Sequence, residues 1–369
     1  MSEKTAEMLF EERSHRLQTA VRLGTPDRVP LALVLDAFAA QVMGVKLSDF
    51  ASDVELAGQT MLDAMELLGD VDSIQFAPYA PAMLGMAWLS PVELPGRQLP
   101  ENTLWQVDEQ VRIVPEDYDR IVEEGWSAWL GAYIGRYLGE AAAAGQAMMG
   151  AMPHWVSEFR KRGYVMFSPG FCGNPFENLC GGRTVKEFIL DLYRIPDKVQ
   201  AALDVIMAEE RERTRQMVRA GGPSGYWVGG WRSAPEFLAP KLWNRFVWPY
   251  LQEMVETVVE EGGIPVLHFD ANWDRELPRL KELPKARCVL ALDGKTDIFR
   301  AKEVLDGHMC ILGDVSPAML SLATPDEVHA YCTRLINEIG PSGFILAQGC
   351  TIPFGAKLEN VRAMVDAVK

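Results

Sequence analysis

Eight short apolar runs recur along the chain, at residues 29–35, 73–77, 164–168, 225–229, 264–268, 287–292, 309–313 and 343–348. None shows the every-other-residue alternation of a strand with one face in water. That continuity is the pattern of strands covered on both faces, as in a parallel sheet. Helical periodicity separates most of them, clearly over 185–220 and 236–261, more briefly over 274–282, 297–306 and 325–340, and finally over 357–368. Strands alternating with helices imply parallel pairing through right-handed crossovers. Eight is the number that closes a barrel. The expected fold is an α/β protein of the (β/α)8 TIM-barrel type, a single domain over 1–369; an open doubly wound sheet is the alternative.

Two segments stand outside the repeat. Residues 5–23 carry Met8, Leu9, Leu17, Val21 and Leu23 at roughly helical spacing among charges, ended by the Gly24–Pro26 break. This charged N-terminus lacks the apolar core of a signal peptide. No run of 18 apolar residues exists to span a membrane, so the expected setting is cytoplasmic. Residues 78–163 are far longer than a crossover needs and contain a possible hairpin (LPGRQLPENTLWQV) and a helical stretch, 117–152. The insertion follows the C-terminal end of a strand. It reads either as a peripheral excursion or as a cap beside the site, since the loops at that end carry function in barrels.

The net charge of −15 argues against nucleic acid. It suits an enzyme, or a protein that docks a partner through a charged surface. The six cysteines, Cys172, Cys180, Cys288, Cys310, Cys332 and Cys350, are irregularly spaced and include no CxxC pair. A disulfide framework is not expected, and buried thiols are the default reading.

In a barrel of this type the chemistry sits at the C-terminal strand ends. Those ends read Asp36, the glycine-rich PGFCGNPFENLCGG with Gly170 and Cys172, GGWRS with Trp231 and Arg232, HFD with His268 and Asp270, then Asp293, Asp314 and QGC with Gln348 and Cys350. His268 and Asp270 are two apart on an extended segment and point the same way. Histidine nitrogen, carboxylate oxygen and thiolate are all zinc ligands, and three with an open fourth position describe a catalytic site. Other readings stand beside it. His268 and Asp270 suit an acid–base pair without metal, Cys350 suits a nucleophile, and a lone Cys after Gly is often only packing. Asp36, Asp293 and Asp314 are candidates for positioning substrate or holding its proton, or simply partners of Lys295, Arg232 or backbone amides. Most of the cluster Trp227, Trp231, Trp243, Trp248 and Tyr250 reads as core; Trp231, beside Arg232, is the one placed to meet a ring or a cation.

The ordered series of motifs resembles the uroporphyrinogen decarboxylase superfamily over most of the chain. TPDRVPLALVLD, WRSAPEFLAPKLWNRFVWPYLQEMVETVVEEGGIPVLHFD, ILGDVSPAML with ATPDEV, and GCTIPFGAKLENVRAMVDAV carry the resemblance. It implies a (β/α) barrel, and its members include dimers. The true decarboxylases of the superfamily use no cofactor, carry an arginine-rich R-Q-A-G-R-Y motif and end in His-Gly. Here VLDAFAAQVMG and Gly349-Cys350 stand in those places. The other branch, the cobamide-dependent methyltransferases, binds zinc through His-x-Cys and a distant Cys. His268 and Cys350 match the first and last of these, with Asp270 in place of the middle cysteine, a harder ligand set.

The resemblance therefore implies a zinc-dependent methyltransferase with His268, Asp270 and Cys350 on the metal. It would move a methyl group between a small methylated substrate, of methyl ether or methylamine type, and a corrinoid carried by a partner protein. Gly170, Cys172, Trp231 and Arg232 become the expected corrinoid-facing residues, with the glycine-rich loop 169–182 allowing close approach. A cofactor-independent decarboxylase and a non-catalytic binding subunit are the alternatives.

Overall fold

Parallel pairing runs through all eight apolar segments. The computed structural model describes residues 4–369. Its barrel strands are Ala32–Leu33, Ser73–Ile74, a third in two pieces (Val165–Met166 and Gly170–Cys172), Gly225–Gly230, Ile264–Phe269, Val289–Leu292, Cys310–Val315 and Phe344–Gln348. One piece of the third strand pairs with the second strand and the other with the fourth. The fourth to eighth pair in sequence order. Leu31 bridges Leu346, and the Leu346 amide donates to the Pro30 carbonyl at 2.9 Å, joining the eighth strand to the first. The ring of hydrogen bonds is complete, so the open sheet is set aside.

The inward residues explain why the sequence closes this way. Ala32, Phe167, Trp227, Val266, Val289, Leu312 and Ile345 share one apolar cluster inside the ring. Leu17, Ala20 and Val21 join that cluster from the helix Ala6–Val21, which therefore plugs the lower mouth. The barrel is open only at the C-terminal ends of its strands. Outside the ring lies the helical layer. Prolines divide its longer patterns: 185–220 becomes Val185–Arg194 and Pro196–Gly221, and 236–261 becomes Pro240–Phe246 and Trp248–Glu260. Proline is favoured at a first helical turn and costly within a helix. Over 274–282 only a 3₁₀ helix forms, Leu277–Glu282. No helix among the described residues is long and apolar enough to cross a membrane.

The insertion holds three longer helices, Pro115–Glu124, Trp126–Tyr137 and Gly139–Lys161, after a 3₁₀ turn Pro81–Leu84 and a one-turn helix Gly85–Trp88. Before the three longer helices, Val92–Glu93 pairs antiparallel with Gln106–Val107. The expected hairpin is present, reduced to that two-rung ladder.

A charged cluster ties the plug helix to the barrel floor. Asp72, fully buried just before the second strand, pairs with Arg16 and Arg28 and accepts the Leu31 amide at 2.8 Å. It lies at the end of the barrel away from the open mouth, so its role is structural. Removing it leaves the Leu31 amide without its acceptor and Arg16 and Arg28 with only the more exposed Asp27, Glu12 and Asp70. Asp72→Ala is therefore expected to lower the unfolding free energy by about 3 kcal/mol or more. Urea titration checks this; a loss below about 1 kcal/mol would contradict the assignment.

Candidate active site

Strand five carries its side chains alternately inward and outward. Val266 faces the barrel interior, and His268, two residues on, lies on the same face near the rim. Asp270 follows at the rim itself. Cys350 comes from the far end of strand eight. Gly349 makes its position possible: a Cβ there would sit 2.4 Å from the Asp293 carbonyl oxygen, so only glycine lets the end of strand eight pass so close to strand six. One donor atom each from His268, Asp270 and Cys350 lies within 4.8 Å of the others.

The electrostatics of this trio follow from its burial. His268 is 2% exposed. Its Nε2 lies 3.1 Å from Asp270 Oδ1, but no hydrogen bond to this sealed nitrogen is well aligned. Burial alone would push the imidazole towards its neutral form. Contacts with Asp270 and Cys350 outweigh that and raise it to about 10. The pocket thus favours positive charge at the imidazole. Nitrogen, oxygen and sulfur donors at this separation have the chemistry of a three-ligand zinc site. Trp227 lies flat against the His268 ring, with centroids 4.4 Å apart and planes at 15°, and Phe76 meets Trp227 edge-on. The indole holds the imidazole plane from one side.

The trio opens into a cavity of about 550 Å³. Its walls are mainly aromatic and aliphatic, with Phe76, Trp88, Trp105, Phe171, Trp227 and Trp231 among them. The insertion supplies Tyr79, Met83, Trp88, Trp105 and Met148 to these walls, so it borders the cavity directly.

Asp36 lines the cavity, with a left-handed backbone (φ 43°) that is uncommon for a residue with a side chain. Burial raises its carboxyl to about 6, against the opposing hydrogen bond from Tyr79 Oη at 3.0 Å.

Several expected site residues are elsewhere. Asp293 does not line the cavity; its carboxylate accepts the Ala271 and Lys295 amides, at 2.9 and 2.8 Å, and so fixes the turn that follows Asp270. Asp314 is turned to the helical layer, where Tyr331 of the helix Pro325–Glu338 donates to it at 2.7 Å. Cys172 is sealed in the core, its thiol pushed up to about 12 by burial. The segment 169–182 is not a loop: it forms the strand piece Gly170–Cys172 and the helix Pro175–Arg183. Gly170 borders the cavity, but a Cβ there would strike the Tyr226 ring, so its smallness serves packing. Trp231 and Arg232 do line the cavity. Trp231 lies near-parallel to Phe171 at 6.1 Å, and Arg232 is held by Glu109 at 2.5 Å.

Three contributors were missed by the sequence reading. Tyr79 has no pattern that announces it. Trp227 was assigned to core, although it is two residues before Gly229, which pairs with His268. Glu177, nearly sealed, gathers the amides of Trp231, Arg232 and Ser233 and the Ser233 hydroxyl, at 2.7–3.1 Å, and so shapes the turn carrying two wall residues. Its signal was a carboxylate in an otherwise buried helix. Among all six cysteines, free and unbridged, Cys350 alone is partly exposed.

Comparison with known proteins bears on the family and the fold. The family model described as uroporphyrinogen decarboxylase (URO-D) matches residues 165–369. Uroporphyrinogen decarboxylase from Coxiella burnetii is 26% identical over 211 residues, 54% of this chain and 56% of that protein. The Christiangramia forsetii enzyme of the same name is 24% identical over 206 residues, 54% and 58%. These matches span just over half the length of each relative. A solved methyltransferase from Methanosarcina mazei superposes with a TM-score of 0.69 over 99% of this chain and 98% of that one, at 20% identity, which is a likeness of fold.

Asp314 provides a test of the placement. Burial raises its carboxyl to about 7, outweighing the Tyr331 hydrogen bond; an unfolded aspartate titrates near 3.9 or so, about three units lower. The folded state holds its proton longer, so the stabilisation is complete below about pH 4 and lost as pH rises through about 7. Asp314→Asn is expected to flatten the decline in stability between about pH 5 and 7 by up to roughly 1.4 kcal/mol per pH unit. Urea unfolding across that range reads it, and parallel slopes for the two proteins would refute it.

Proposed function

Because the chain belongs to the uroporphyrinogen decarboxylase family, a barrel family, we propose that it is a methyl-transferring member. In this reading it is a zinc-dependent methyltransferase that moves a methyl group between a small methylated substrate, of methyl ether or methylamine type, and a corrinoid carried by a partner protein. The observation that carries the proposal is the convergence of His268 Nε2, an Asp270 oxygen and Cys350 Sγ at the floor of the cavity. The sealed Nε2, with no well-aligned partner, fits a metal ligand better than an acid–base histidine. The likeness to the Methanosarcina mazei methyltransferase is compatible with this reading through the shared fold.

Zinc held there would supply a Lewis acid at the substrate heteroatom, and the partner's corrinoid the cobalt centre for methyl exchange. The chain's own residues do the rest. Asp270 in place of a second thiolate makes the donor set harder and favours oxygen or nitrogen at the metal over sulfur. Trp227 fixes the imidazole plane. Asp36 and Tyr79 share a proton beside Cys350 and can hold one at the substrate's heteroatom. The aromatic walls orient a small apolar substrate, and the insertion covers it against water.

The decarboxylase alternative is less well supported by the walls. A highly carboxylated tetrapyrrole needs several cations, and Arg232, already bound to Glu109, is the one arginine or lysine lining the cavity among the described residues.

Metal analysis separates the readings. The purified protein is expected to contain about one zinc per chain. His268→Ala and Cys350→Ala should each lose it while keeping the wild-type circular dichroism spectrum, and should lose methyl transfer to a corrinoid protein by at least about a hundredfold. A metal-free protein that turns over a porphyrinogen would sink the proposal.

A further inference from the structure

A second, smaller cavity of about 160 Å³ lies behind Phe171, which forms a wall common to both cavities. It is bounded by the strand-three end, by the helix Pro196–Gly221 and by the insertion. The chemistry proposed for the active site makes no use of it. Its walls are apolar on one side, with Met86, Leu130, Trp126 and Met217.

On the other side stand Glu210, Asn178 and Thr214, with the guanidinium of Arg213 also in the wall. Glu210 is 4% exposed. Its Oε1 takes both the Trp126 Nε1–H, at 2.7 Å, and an Arg213 N–H, at 2.8 Å. Its Oε2 receives no donor from the described residues, yet it is not among the sealed atoms. Asn178 donates its amide hydrogens to the Met86 and Ala87 carbonyls, which fixes its orientation and leaves Oδ1 free to accept. The Thr214 hydroxyl donates to Met254 Sδ at 3.3 Å and keeps lone pairs. Asn178 and Thr214 are 6% and 2% exposed.

On a residue only 4% exposed, the open Glu210 carboxylate oxygen can take a donor only from what enters the chamber. An anionic carboxylate with an open oxygen, acceptor-bearing Asn178 and Thr214, and apolar walls around one small chamber match a group with N–H donors, a positive charge and a short hydrocarbon tail. Arg213 balances the charge of Glu210 only in part, because its side chain is about half in water (51% exposed) and solvent screens it. We infer that this chamber is a binding site for a small primary alkylammonium ion, with the ammonium on Glu210 and the alkyl chain against Trp126 and the methionines. The site goes beyond the proposed methyl transfer and does not depend on it.

Isothermal titration of the full-length protein with n-butylammonium chloride at neutral pH tests this. Saturable binding in the range of about 1 mM or tighter is expected. Glu210→Gln keeps the shape and the Trp126 bond and should weaken binding at least about tenfold. Arg213→Gln, a change at a half-exposed position, should tighten it a few-fold, roughly, by removing the competing charge; misfolding cannot mimic that gain. Tetramethylammonium, with no N–H, should not compete. The inference is overturned if butylammonium fails to saturate, which would mean that the chamber holds water only. Unchanged affinity in Glu210→Gln, or equal competition by tetramethylammonium, overturns it as well.

Discussion

The candidate site exists because the sheet closes on itself. His268 and Cys350 stand on strands five and eight, with two strands between them along the sheet. In an open sheet those strand ends would be well apart, since neighbouring strands are spaced by about 4.8 Å. The bond from Leu346 to Pro30 completes the ring, and the plug helix seals its lower end. The C-terminal rim is then narrow enough for one histidine, one carboxylate and one thiol to share a few ångströms. Gly349 removes the last obstacle by letting the strand-eight end lie against the Asp293 backbone.

Around that point the protein holds its polar groups in tiers. The imidazole is clamped between the Trp227 face and its two acidic neighbours. Asp293 holds the turn after Asp270 through backbone amides, and Glu177 does the same for the turn of Trp231 and Arg232. Neither carboxylate lines the cavity, yet each positions residues that do. The tiers leave a chamber with few cations, aromatic walls and one donor trio, a design suited to a small apolar ligand rather than a polyanion.

Much of this was legible in the sequence. Buried parallel strands advertise themselves as unbroken apolar runs, and all eight appear where those runs lie. His268, Asp270 and Cys350 were readable because strand ends are known positions in a barrel and alternation fixes their facing. The aspartates were not so readable. Asp293 and Asp314 also end strands, but whether a carboxylate turns to the cavity, to amides or to a tyrosine on the outer helix depends on partners remote in sequence. The stretch 169–182 misled for a similar reason: its glycines meet Tyr226, Trp88 and Ile113, and that need for close packing looks, in sequence, like a flexible loop. Tyr79 and the Glu210 chamber arise from the insertion packing against the barrel, which no local pattern encodes.

The central claim is that the trio is a metal site with sulfur in its ligand set. Replacing the native metal by cobalt(II) and recording the visible and near-ultraviolet spectrum tests it most directly. A thiolate-to-cobalt charge-transfer band, together with the intense d–d bands of a tetrahedral site, is the predicted result, and the charge-transfer band should vanish in Cys350→Ser. Failure to take up cobalt, or a spectrum unchanged by that substitution, would contradict the account.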